Sequence, residues 1–144
     1  MKIDMFAHVC PQKYVDSFAK HNSRGLSWKA LGGDATIMGG RTLFETERRL
    51  EVMERLEDYA QVLVPIGETF EWLMNPQDSA ILAQSYNNAL SEWFDKYPGK
   101  FLGAAASIPM NNIDAALKEI ETLPTVKEPP LKIRVLSELS EEED

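Results

Sequence analysis

The chain is poor in the residues that build several kinds of protein. Of its 144 residues one is cysteine, Cys10, and two are histidine, His8 and His21. A single cysteine excludes an internal disulfide framework and suits a reducing compartment, so the expected location is the cytoplasm. No apolar run approaches the ~18 residues of a membrane helix. Asp4 and His8 interrupt the N-terminus, where a signal peptide needs an unbroken apolar stretch. Positive charge is short as well: 15 Lys and Arg against 23 Asp and Glu leave a formal net charge of -8. That balance argues against nucleic-acid and anionic-membrane partners, both of which need positive surface. Five of the acids fall in the last eight residues, SELSEEED, so the body is nearer neutral. There is no phosphate-cradling loop, no Cys-x-x-Cys pair and no Ser-His-Asp order.

What remains is an ordinary globular composition, 44% hydrophobic and 26% charged. The length suits one domain with a real core but falls short of the ~250 residues of a complete (β/α)8 barrel. Strand and helix patterns alternate about three times, which implies an α/β fold of parallel βα units.

The first unit begins with IDMFAHVCP, residues 3–11. Simple alternation along a strand puts Ile3, Met5, Ala7 and Val9 on one face and Asp4, Phe6, His8 and Cys10 on the other. Pro11 then opens a helix whose apolar stripe is Tyr14, Val15, Phe18 and Ala19 and which ends near His21. Residues 23–40 hold five glycines and Trp28 and read as an irregular loop with a short extended run, Ala35 to Met38. Trp28 either lines a pocket or covers the end of the fold. Thr42-Leu-Phe-Glu45 matches a capping box and predicts a second helix running to about Glu57. Ala60 to Ile66 is a second strand, apolar on both faces as in a buried parallel sheet. Asn75, Pro76 and Asp78 make a strong helix start, followed by the stripe Leu82, Tyr86, Leu90, Trp93 and Tyr97 and the stop Pro98-Gly99. A third strand is expected over Phe101 to Ile108, and a fourth helix capped by Asn112, with Ala116, Leu117, Ile120 and Leu123 facing the core. The domain boundary falls at 123/124. The segment 124–144 has a divergent character, with a short strand expected over Leu131 to Leu136 and a disordered acidic tail.

The run MKIDMFAHVCPQKY resembles the opening of the metal-dependent amidohydrolase family that contains aminocarboxymuconate semialdehyde decarboxylase. RRLEVMERLEDYAQVLVP and SYNNALSEWFDKYPGKFLGAAASIPMNNIDAALKEIE are similar to further stretches of that family, in the same order. The resemblance covers roughly residues 1–122 and implies the N-terminal part of a (β/α)8 barrel, about three βα units. It implies metal-dependent hydrolase or decarboxylase (carboxy-lyase) ancestry with a small carboxylate as substrate. In that family the first strand reads Ile-Asp-x-His-x-His, and both histidines bind a divalent metal, usually zinc. Here Phe6 occupies the first of those positions and His8 the second, so the motif is broken, since a phenyl ring has no lone pair to donate. The resemblance places the remaining ligands beyond the matched stretch.

His8 is therefore the candidate metal ligand. Cys10 is either a second ligand or a packing residue, and Asp4, deeper in the strand, suits hydrogen bonding. Arg49 matches an arginine that some family decarboxylases use to hold a substrate carboxylate. Its plainer reading is a solvated helix residue among Glu45, Glu47 and Glu51, and His21 reads as a helix-end histidine. Three βα units cannot close a barrel, so the sheet edges are expected to be covered by a second copy, by a complementary half-barrel chain or by a missing C-terminal half. The alternative to an enzyme is a non-catalytic half barrel that serves as an oligomerisation or interaction module.

Overall fold

A computed structural model describes residues 1–27, 40–66 and 74–122. Trp28, the run 35–38, the 123/124 boundary, the expected strand over 131–136 and the acidic tail lie outside those residues. The described elements are β1 (Lys2–Val9), α1 (Gln12–Lys20), a single 3-10 turn (Gly40–Leu43), α2 (Thr46–Glu54), β2 (Tyr59–Pro65), α3 (Pro76–Lys96), β3 (Phe101–Ala104) and α4 (Ile113–Glu121). The three strands form one parallel sheet in the order β1-β2-β3. Consecutive parallel strands joined through helices are the βα pattern expected from the sequence.

Helices cover one face of this sheet. Ala7, Val9, Leu63 and Phe101 pack there against Tyr14 and Phe18 of α1 and Leu82, Tyr86, Leu90 and Trp93 of α3. Each large side chain so enclosed contributes about 1.5–3 kcal/mol. Of the stripe read from the α3 sequence, Leu82, Tyr86, Leu90 and Trp93 are buried, whereas Tyr97 is half-buried and forms the C-cap just beyond the helix. Its start is also as read: the Asn75 side chain accepts from the Asp78 amide with Pro76 in the first turn. Asn112 likewise caps α4 by accepting from the Ala115 amide.

Among the described residues no helix covers the other face. Met5 and Phe6 are 65% and 67% exposed, and Leu102 of β3 is 45% exposed.

Three local expectations are corrected. The helix expected from Thr42 begins at Thr46, because a 3-10 turn intervenes and Glu45 turns its carboxylate to Arg41 (2.7 Å). The third strand ends at Ala104, where the chain departs after the Ala105 amide donates to the Leu63 carbonyl.

The third correction concerns the faces of β1. Lys2, Ile3 and Asp4 pair with Tyr59, Ala60 and Gln61, but Ala7, His8 and Val9 pair with Leu63, Val64 and Pro65. Between Asp4 and Ala7 the first strand therefore carries one residue more than its partner. Such a bulge resets the alternation. Asp4 shares the helix side with Ala7 and Val9, while Ile3 and Met5 are exposed.

Candidate functional site

The bulge decides what β1 presents at its C-terminal end. Beyond it, Phe6 and His8 emerge together on the uncovered face, their rings edge to face with centroids 4.9 Å apart. His8 is exposed and sits opposite Val64 near the end of β2. Beside Val64, a cavity of about 280 Å³ is lined by Val64, Pro65, Ala105, Ser107, Ile108 and Met110. Asn87 of α3 fixes its rim. The Asn87 side chain donates to the Ser107 carbonyl (2.9 Å) and accepts from the Ser107 amide (2.8 Å). Strand C-terminal ends are where parallel α/β sheets hold ligands.

Cys10 does not join His8. It lies past the end of β1, fully buried in the core with Val9 and Tyr14, and burial pushes its thiol up to about 12. A thiol so placed stays protonated and packs as a small apolar group. Asp4 is also directed elsewhere. It accepts from the Phe6 amide (3.1 Å) and from the Tyr59 hydroxyl (3.1 Å), which secures the bulge from within. His21 is the C-cap of α1. Among the described residues no group of three His, Cys, Asp or Glu converges where an ion could be held. At this strand end the described residues offer one imidazole beside a phenyl ring.

Arg49 is not a solvated helix residue. It is 7% exposed and lies between α2 and the sheet. Its Nε donates to the Thr42 carbonyl (3.1 Å), one Nη to Gln61 Oε1 (2.8 Å), and the other to the His8 carbonyl. Burial lowers its pKa, with Asp4 acting in the opposite sense. Gln61 Nε2 continues the chain by donating to the Tyr59 hydroxyl (3.2 Å), which donates to Asp4. Sequence reasoning passed over Tyr59 and Gln61. The available signal was two polar-capable side chains at period two at the start of an apolar strand, both directed to one face.

No protein-family model matches the chain. It is similar to 2-amino-3-carboxymuconate-6-semialdehyde decarboxylase of Caenorhabditis elegans, 28% identical over 127 residues that make up 81% of this chain and 31% of that protein. The Dictyostelium discoideum protein of the same name is 24% identical over 132 residues, 83% of this chain and 36% of the relative. This chain thus spans about a third of the length of the curated relatives it matches. In fold it is similar to a Staphylococcus aureus protein described as a putative amidohydrolase, with a TM-score of 0.53, 23% identity, and coverage of 83% of this chain and 32% of that one. It is also similar to 2,6-dihydroxybenzoate decarboxylase from Rhizobium, with a TM-score of 0.55, 21% identity, and coverage of 83% and 33%. A 2,6-dihydroxybenzoate decarboxylase complexed with 2,6-dihydroxybenzoate gives 0.54, with 24% identity and coverage of 83% and 34%. The three parallel βα units are consistent with part of a barrel of the kind these neighbours have. By sequence and by fold, the chain is similar to the N-terminal part of amidohydrolase-2 family proteins, decarboxylases among them.

Proposed function

We propose that this chain supplies the first wall of an amidohydrolase-type barrel that decarboxylates, or hydrolyses a bond in, a small carboxylate. The observation that carries this reading is the placement of His8: an exposed imidazole at the C-terminal end of a parallel strand, on the sheet face that none of the described helices covers. The names of the relatives and the bound 2,6-dihydroxybenzoate of one structural neighbour support a small unsaturated carboxylate as substrate class. The cavity beside Val64, whose walls are mixed polar and apolar, offers apolar surface to its carbon skeleton. In this reading His8 is the one ligand this chain gives to a divalent metal, zinc by the family's habit. The other ligands come from strands that complete the barrel, and those strands also cover Met5, Phe6 and Leu102.

A second reading, a wall segment without catalysis, is favoured by Phe6. Its ring fills the place beside His8 where a ligand would stand. The two readings separate in a chimaera in which this chain replaces the matched third of the C. elegans relative. Metal content after dialysis against zinc, and release of labelled carbon dioxide from the relative's substrate, are then measured. The enzymatic reading expects bound zinc and turnover that rise with Phe6→His and disappear with His8→Ala. Zinc content indifferent to both substitutions would leave the non-catalytic reading standing.

A further inference from the structure

The residues behind β1 form one connected polar chain with a single direction. Arg49 donates to Gln61, Gln61 to Tyr59, and Tyr59 to Asp4. Its two ends return to the same strand on either side of the bulge. Asp4 accepts the Phe6 amide, and the Arg49 guanidinium donates to the His8 carbonyl. A third guanidinium bond, to the Thr42 carbonyl, ties the arrangement to the 3-10 turn, whose Leu43 carbonyl accepts the Cys10 amide (2.8 Å). Thus the backbone is held at Phe6, at His8 and at Cys10 from the helix side, while the Phe6 and His8 rings point to the open side. The fork of an arginine satisfies three diverging acceptors at once, which an ammonium cannot do in fixed geometry.

We infer that Arg49 is a positioning residue for the His8 site, not a ligand for a substrate carboxylate: it fixes the post-bulge register of β1 and thereby the direction of the imidazole. The inference rests on the reading of His8 given above but concerns only this chain. A carboxylate could reach the guanidinium only by displacing His8, Gln61 or Thr42 from a buried position between helix and sheet.

The test uses the full chain and needs no metal or substrate, so its failure is separate from failure of the enzymatic reading. Nuclear Overhauser contacts and ring-current shifts between Phe6 and His8 report the geometry. Arg49→Met should abolish the contact and shift the Phe6, Ala7 and His8 amides while leaving those of α3 in place. Arg49→Lys should restore the contact in part. Met53→Ala is the control: it opens a cavity in the same helix without touching β1 hydrogen bonds, and should lower stability yet keep the contact. A Phe6 to His8 contact that survives Arg49→Met, or that Met53→Ala erases equally, overturns the inference. Should Arg49→Met not fold, the unmodified chain decides by the Arg49 guanidinium resonances. Slow Nη rotation and slow exchange are expected, and free rotation, or a selective shift on adding benzoate, overturns it.

Discussion

Tyr86 of α3 holds the C-terminal ends of two strands at once, and Tyr86→Phe measures how much that hold contributes. Its hydroxyl is fully buried, donates to the Val9 carbonyl at the end of β1, and accepts from the Ile66 amide just past β2 (3.1 Å). Burial, with the neighbouring Cys10, pushes the hydroxyl far above its ordinary range, so it remains a proton donor. A buried carbonyl and amide left without partners cost about 1–3 kcal/mol each. Here neither is orphaned by the substitution, because the Ile66 amide also donates directly to the Val9 carbonyl (3.1 Å). The ring itself stays, and with it the tilted contact to Tyr14 at 4.5 Å. The expected loss is therefore that of the hydroxyl's own bonds, about 1 kcal/mol net. An unfolding entropy of about 2.1 cal/mol/K per residue converts this into a Tm lower by roughly 3–4 °C.

Thermal and urea unfolding followed by far-UV circular dichroism should return that figure, with an unchanged urea dependence. A loss above about 3 kcal/mol would mean that the Ile66 to Val9 bond does not survive alone and gives no backup to the hydroxyl. No loss at all would mean that the hydroxyl contributes nothing beyond what water gives it in the unfolded chain.

Two further outcomes follow from buried titratable groups. At pH 8 Cys10, with its thiol raised to about 12, should react with iodoacetamide roughly 10³-fold more slowly than a free cysteine, and the rate should rise with urea as the core opens; reaction at the free rate would remove Cys10 from the core. Burial pushes the Asp78 carboxyl up, but bonds from the Ser23 hydroxyl and amide and from Asn75 outweigh it and hold the group below the usual carboxylate range. A depressed folded pKa gives stability that is complete above the unfolded value of about 3.9 and is lost as pH falls through the folded one. Urea midpoints should thus drop below about pH 4, and Asp78→Asn should flatten that limb; a parallel curve for the variant would refute the assignment.

The sequence was most legible where local chemistry and burial point the same way. Asn75-Pro76 and the stripe from Leu82 to Trp93 agree on α3, and α3 is as read. Pro98-Gly99 agrees with its end, where Gly99 takes φ of +81°, a conformation open to glycine. Where a capping box was expected at Thr42, Arg41, at i-4, gives the Glu45 carboxylate a bidentate partner, and the helix starts only at Thr46. Strand β1 failed in its faces for a different reason. Alternation is a local rule, and the extra residue is fixed by Asp4, Tyr59 and Arg49, which lie up to 55 residues apart along the chain. No window over β1 alone contains that information.

The end of β1 accounts for the parting of Cys10 from His8. Continued alternation past the bulge would put Cys10 beside His8 and offer a ligand pair two residues apart on one wall. The strand ends at Val9 instead, the Cys10 amide donates to the Leu43 carbonyl, and the thiol enters the core. The 3-10 turn that takes the Cys10 amide is the one that Arg49 grips through the Thr42 carbonyl. Phe6 then becomes the deciding position. It is two-thirds exposed, touches the imidazole, and contributes nothing to the buried core. Surface substitutions of this kind usually change stability by no more than about 0.5 kcal/mol. Phe6→His can therefore be made at little cost to the fold, and whether metal affinity appears with it turns on the geometry that Arg49 and Asp4 already impose.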